Sequence, residues 1–380
     1  MCPKAPAGYG EGDGLASIDR CAFPLAETSA WTTFAPLVDA LAKTAKPVTL
    51  ATVLGDLNRQ AVKVTSVPGG PPGLKQAFRW DSDDNDKAWW IPQGITGSPD
   101  ADASGKVAGR QLIVVSWYYD LDKHPNGTEE KGVRIALVDV TDPAKPTYRL
   151  ALLVEPTGTV AQPGYKAVTV HAGGIVWYGD HLYVADTSKG FRVFDMTRIF
   201  QVATDKDTIG CAGGTCQAGT YRYVLPQVGA YRHGSACAPL FSWVSLDRSV
   251  SPPTLVSGEY CSATACAGPI AGRAFRWPLD PATGRLSGPA LWPSAAYLMG
   301  QKQIQGGAAH AGLFFLSSSA PAGGGGALYR VKGTKSATST WIDAPEDLMV
   351  DQPRGWLWSL SEGEGARYVM AAALSSYPAP

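Results

Sequence analysis

The stretch His171-Ala-Gly-Gly-Ile-Val-Trp-Tyr-Gly-Asp-His-Leu-Tyr-Val-Ala-Asp-Thr-Ser-Lys-Gly-Phe-Arg-Val-Phe-Asp195 decides the fold. It holds three short runs, His171–Tyr178, His181–Asp186 and Phe191–Asp195. Each is rich in β-branched and aromatic residues, as strands are. A fourth run, Tyr221–Leu225, completes a quartet. Similar quartets recur along the chain. One holds Ile91–Gly97, Gln111–Tyr119, Val133–Val140 and Tyr148–Glu155. Another holds Phe241–Leu246, Thr254–Tyr260, Arg273–Trp277 and Ala290–Trp292. The next holds Ile304–His310, Leu313–Ser317, Ala327–Val331 and Ser339–Ile342. Glu346–Val350, Trp356–Leu360 and Tyr368–Ala372 begin a fifth, which runs out of chain.

The quartets also start alike. Pro92-Gln-Gly-Ile95, His171-Ala-Gly-Gly174, Ile304-Gln-Gly-Gly307 and Pro345-Glu-Asp-Leu348 each precede a strand. Aligning them makes Gln93, Ala172, Ser242, Gln305 and Glu346 equivalent. The shortest step, Gln305 to Glu346, is about one repeat of the ~40–45-residue kind; longer steps are repeats carrying loops. Four antiparallel strands per repeat is the composition of a propeller blade. The fifth group lacks an outer strand, which Ala61–Val67 and Leu74–Trp80 can supply, covering an edge that would otherwise stay open. The expected fold is an all-β, five-bladed β-propeller closed by N-terminal strands. Six or seven blades follow if an insertion hides one, and a jelly-roll sandwich is the structural alternative. Residues 1–60 read as an N-terminal extension and 61–380 as a single propeller domain. In the extension, Trp31, Phe34, Leu37, Val38 and Leu41 fall at helical spacing, which predicts a short helix within Ala30–Thr44.

Composition narrows the function classes. Lys+Arg and Asp+Glu number 33 each, so the net charge is zero. Strong attraction to nucleic acid or to an anionic membrane needs a basic excess, so neither is an expected partner. No apolar run is long enough to span a bilayer. The cysteines point to export. Cys211 and Cys216, and Cys261 and Cys266, share one spacing in Gly/Ala/Thr-rich stretches, and Cys2 and Cys21 flank a Gly-rich start. Local disulfides, free thiols and a zinc site all remain open; disulfides are favoured because a short loop brings Cα atoms within reach. Cys237 is left without a role. The simplest account is a secreted, monomeric mature chain whose signal peptide is gone.

Trp89-Trp-Ile-Pro-Gln-Gly-Ile-Thr96, Leu112-Ile-Val-Val-Ser-Trp-Tyr118 and Val170–Tyr178 with Leu182–Asp186 resemble the secreted β-propeller proteins of actinobacteria and related soil bacteria. That group includes the dispase autolysis-inducing protein, a transglutaminase substrate. Asp139-Val-Thr-Asp-Pro143 is similar to the turn of LVIVD-type propeller repeats. The resemblance implies a non-catalytic propeller that engages an extracellular protein, a protease or a transglutaminase. It further implies an amine-accepting glutamine; Gln301 and Gln352 are the exposed-loop candidates.

Enzyme signatures are sparse. No nucleophile elbow, zinc-protease helix or phosphate loop is present. Asp81-Ser-Asp-Asp-Asn-Asp86 alternates carboxylates, so Asp81, Asp83 and Asp86 are calcium candidates, calcium being the one cofactor considered. An ordinary solvated acidic turn is the competing reading. The inner-strand starts place Gln93, His171, Gln305 and Glu346 around one mouth of the channel, with Asp347, His233 and His310 close by. This is either a polar structural network or a ligand site. Glu346 and His171 are the only catalytic candidates. A glycosidase needs two facing acids. Glu346 and Asp347 are adjacent on one strand and should face opposite ways. A hydrolase or lyase/cyclase is therefore the alternative to the interaction protein, and a glycan-binding lectin the third reading.

Overall fold

A computed structural model describes residues 2–262, 272–288, 291–319 and 325–380. Five antiparallel units of four strands follow one another along the chain, the first two joined at their outer strands. Blade I is Trp90–Gly97, Leu112–Tyr119, Val133–Asp139 and Thr147–Gly158. Blade II is Ile175–Tyr178, His181–Asp186, Gly190–Asp195 and Tyr223–His233. Blade III is Phe241–Asp247, Thr254–Glu259, Arg273–Pro278 and Ala295–Leu298. Its fourth strand thus begins beyond Pro293 rather than around Trp292, because proline has no N–H to give a ladder. Blade IV is Ile304–His310, Leu313–Ser318, Gly326–Lys332 and Lys335–Trp341. Blade V is Pro345–Asp351, Trp356–Ser361 and Tyr368–Ala373, completed by the N-terminal strand Leu74–Arg79. The first strand of each blade touches the first strand of the next, and blade V returns to blade I. That ring is a five-bladed propeller closed by a strand from the other end of the chain.

Packing between blades follows from the strand pattern. Most residues on both faces of the inner and middle strands are buried, so those strands are mainly apolar. Trp80, Trp117, Tyr148, Met349 and Trp358 fill the space between blades V and I. Tyr183, Phe191, Phe241, Phe275 and Trp277 fill that between II and III. Aliphatic side chains around Trp177 fill I to II, and Trp243 and Trp341 lie in the cores of III to IV and IV to V. Aromatics therefore serve mainly as wedges, each burying a large apolar area.

The first 80 residues travel around the rim. Ala16–Ser17 pairs with the edge of blade III, and Leu25–Glu27 with the edge of blade II. Helix Ala30–Leu41 buries Val38 and Leu41 against the outer strands of blades I and II. Arg59–Gln60 then pairs with blade I, and Val62–Lys63 with Leu74–Arg79 in blade V. The expected strand Ala61–Val67 shortens to these two residues. At each step an outer edge gains a partner, which removes the template for edge-to-edge association. The outer strands of blades I and II also pair with each other, in parallel, over Leu152–Val154.

Cys211 and Cys216 form a disulfide across a two-stranded hairpin, as the spacing suggested. The Cys2–Cys21 expectation is corrected: Cys2 bonds Cys237, and Cys21 is a free, exposed thiol. Sequence proximity misled here, because the rim path brings the N-terminus to blade III. Cys261 is disulfide-bonded; its expected partner Cys266 lies outside the described residues. Among the described residues no helix is long and apolar enough to cross a membrane.

Candidate functional site

Four of the five inner strands break register at the same level. The shifts fall between Pro92 and Ile95, Phe241 and Trp243, Ile304 and Gly306, and Pro345 and Leu348. The displaced residues are Gln93, Ser242, Gln305 and Glu346, the positions that the repeated starts had made equivalent. In the fifth, Ala172 takes a positive φ of 54° just before Ile175–Tyr178. A β-bulge re-aims its extra residue and commonly sits beside a binding site. The repeat motif is therefore a bulge motif, and it builds the start of the channel, here termed the inlet mouth.

Below the mouth the inner strands close in. A Cβ on Gly94 would lie 2.8 Å from the Ile175 amide nitrogen, and one on Gly306 would lie 2.5 Å from the Asp347 Cα. Neither position tolerates a side chain, so the repeated glycines set how tightly the ring closes. Asp347 stands in this constriction. Its Oδ2 accepts from the Ile95 amide at 3.2 Å, and Oδ1 has no partner among the described residues. Burial raises its pKa well above the ordinary carboxyl value, against the amides of Ile95, Leu348 and Ile175.

The bulge puts Glu346 and Asp347 together opposite the single residue Leu360, and both are buried, at 2% and 0% exposure. Strict alternation holds only where pairing is regular. A further acid stands near them. Glu362, just past Trp356–Ser361, accepts a hydrogen bond from Gln93 Nε2 at 2.9 Å. Burial raises the Glu346 pKa well above the usual range, and the charges of Glu362 and Asp347 raise it further. Burial raises Glu362 too, opposed by the Gln93 amide.

Tyr118 and His171 complete the mouth, with ring centroids 4.4 Å apart. The Tyr118 pKa is raised by burial and then by the charges of Glu362, Asp120 and Glu346. His171 keeps solvent access on one side while protein crowds the other. That crowding lowers its pKa, against the pull of Asp120. Both shifts favour the neutral form, of the imidazole and of the Glu346 carboxyl, so the mouth leans toward hydrogen bonding over charge.

Other candidates stand elsewhere. Gln305 is half-buried at its bulge. His310 ends its strand at the opposite, outlet end. Gln301 is buried, donating to the Asp13 carbonyl at 2.7 Å, so the exposed loop expected there is corrected: the N-terminal segment covers it. Gln352 is exposed, in the turn after Pro345–Asp351. The calcium expectation also fails on partners. Asp81 caps the short helix Ser82–Asn85 and pairs with Arg59 at 3.2 Å, and Asp83 pairs with Arg59 and Lys87. Asp86 accepts from Asn85. Among the described residues no group of three or more His, Cys, Asp or Glu side chains is placed to hold a metal. Glu362 and Asp120 escaped sequence reading because neither lies on an inner strand; no local signal marks them.

No family model and no curated protein matches this chain. Solved structures do. The chain is similar to a GH43_1 enzyme from Xanthomonas citri at 10% identity and TM-score 0.32, over 89% of this chain and 93% of that one. It is similar to RS223-Beta-xylosidase at 9% identity and TM-score 0.36, over 77% and 93%. A Bacteroides thetaiotaomicron VPI-5482 protein of unknown function aligns at 14% identity and TM-score 0.33, over 83% and 76%. The blade count stands on the strand pairing above, and any activity on the site itself.

Proposed function

We propose that this is an extracellular propeller whose inlet mouth binds a neutral, hydroxyl-rich ligand, with Glu346 and Glu362 as an acid pair. One observation carries the reading: the bulged residues Gln93 and Glu346 come together with Glu362, and among the described residues no cation pairs with Glu346. A protonated carboxyl donates a hydrogen bond as well as accepting one, which suits hydroxyl groups that do both. Two disulfides support the extracellular setting. If the ligand carries a glycosidic bond, Glu346 holds the proton a leaving oxygen needs. Glu362, the more open of the two, is the partner that would act on water or on the sugar.

The test is calorimetry and product analysis with a panel of neutral oligosaccharides. Glu346→Ala should weaken binding, while Glu346→Gln keeps a donor and should bind but not hydrolyse. Binding should fall as pH rises, because ionised Glu346 loses its donor. A folded protein that binds none of the panel at any pH would sink the proposal.

A second reading keeps the interaction protein, with an extracellular protease or transglutaminase as partner. Its support is the exposed Gln352 at the end of the channel opposite the mouth. A bacterial transglutaminase and a labelled amine should label Gln352 and spare the buried Gln301. Absence of label on Gln352 in folded protein removes this reading.

A further inference from the structure

The outlet end of the channel carries a concavity that shares no residue with the inlet mouth. One half, about 430 Å³, is mostly apolar and is lined by Leu50, Val107, Trp177 and Met196. The adjoining half, about 510 Å³, is polar and includes Tyr178, His181, Asp195 and Arg248. Ala101, Asp102, Gly179 and Asp180 line both halves. Two carboxylates therefore stand at the seam between an apolar chamber and a polar one.

The fold builds this seam from three elements. Helix Leu50–Leu54, capped by the Thr49 side chain, walls the apolar half. The short helix Ser98–Ala101 leads into Asp102. The turn between Ile175–Tyr178 and His181–Asp186 presents Gly179 and Asp180, and the Trp177 indole donates to the Gly179 carbonyl at 2.8 Å. That hydrogen bond holds the indole beside the seam.

The charges there are unequally engaged. Arg248 donates to the Asp100 carbonyl and lies over the Tyr178 ring at 5.0 Å. Asp195 accepts from the Thr197 amide and hydroxyl and faces Arg198 at 3.5 Å. Asp102 uses Oδ1 for the Ser104 amide at 2.8 Å. Asp180 makes no side-chain hydrogen bond or ion pair among the described residues. The seam thus keeps two acceptors in hand, next to apolar walls. Concave, mostly apolar sites with a few placed polar groups are how proteins hold small molecules, the polar groups fixing orientation.

We propose that this cleft binds an organic monocation with an apolar body. The ammonium head sits between Asp102 and Asp180, and the body fills the chamber against Trp177 and Met196. Burial of the body supplies affinity, and the carboxylates supply the choice of charge.

The probe is protonated 2-phenylethylamine, titrated by tryptophan fluorescence and by calorimetry. Its comparisons are 2-phenylethanol, which is neutral, and 3-phenylpropionate, which is an anion. The amine should bind at least about tenfold more tightly than the alcohol, as a charge-assisted hydrogen bond implies. Asp180→Asn, on the exposed turn, should lose about the same factor. Val107→Trp, on the half-exposed wall, should block the chamber. Melting temperatures report that both variants are folded. Glu346→Ala should leave this binding unchanged, which separates it from the inlet proposal. Equal binding of amine and alcohol, tighter binding of the anion, or no binding of the amine by folded protein would each overturn the inference.

Discussion

Asp84 and Asp347 are buried alike, at 1% and 0% exposure, and they live opposite lives. Burial pushes the Asp84 pKa up, but Arg134 and Arg59, with the Tyr148 hydroxyl, more than offset it, so the carboxyl lies below its ordinary range. Arg134 Nη2 meets Asp84 Oδ1 at 2.7 Å, and Arg134 itself lies over the Trp90 and Trp117 rings. Asp347 has backbone amides but no cation, and its pKa rises. The same residue type thus joins two different structures. Near the acidic turn, charge is paired and fastens the N-terminal segment to blade I. Along the axis, burial without a cation pushes the carboxyls toward their neutral form, and the groups keep chemistry to spare.

The widest gap between the two regions should appear on neutralising each acid. Asp84→Asn leaves Arg134 buried without its counter-charge, and should cost about 3–5 kcal/mol in denaturant unfolding. A cost under about 1 kcal/mol would mean that the pairing is not what holds this region.

Asp100 extends the axial group and sharpens the contrast through pH. Burial raises its pKa to about 7, against the Thr96 hydrogen bond and Arg248. An ordinary carboxyl ionises near ~4, so between about pH 4 and 7 the unfolded chain ionises first and the folded state falls behind. Stability from this group is full below pH 4 and declines as pH rises. Relative to Asp100→Asn, the native protein should lose on the order of 2–4 kcal/mol across that window. Parallel curves for the two proteins would refute the shift.

The smallest change is expected at the axis centre. Asp347→Asn replaces a carboxyl biased toward its neutral form by a neutral group of the same shape. At pH 5 it should alter stability by less than about 1 kcal/mol, and its stability relative to the native protein should grow as pH rises. A large loss at pH 5 would place Asp347 with Asp84 after all.

Local pattern carried much of the architecture. Short β-branched and aromatic runs marked the strand quartets, because a strand buried on both faces needs apolar residues throughout. The orphan strand Leu74–Trp80 announced the ring closure, since a three-stranded last blade would leave an edge open. The likeness of Pro92–Ile95, Ile304–Gly307 and Pro345–Leu348 marked the blade starts, which pairing then showed to be bulged. These signals are local, so one chain displays them.

Other features exist only once distant segments meet. Glu362 joins Glu346 because the end of one strand of blade V returns to the mouth. Cys2 reaches Cys237, and Gln301 disappears beneath Asp13, because the N-terminal segment follows the rim. Whether a carboxyl is paired, as Asp84 is by Arg134, or pushed toward its neutral form, as Asp347 is, depends on which charge the fold brings beside it. The sequence by itself determined the blades, their closure and their like starts, through residue type and spacing. Only the tertiary structure decided which acids meet, which cysteines bond and which carboxyl finds a cation, because each depends on contacts that strand pairing and ring closure create.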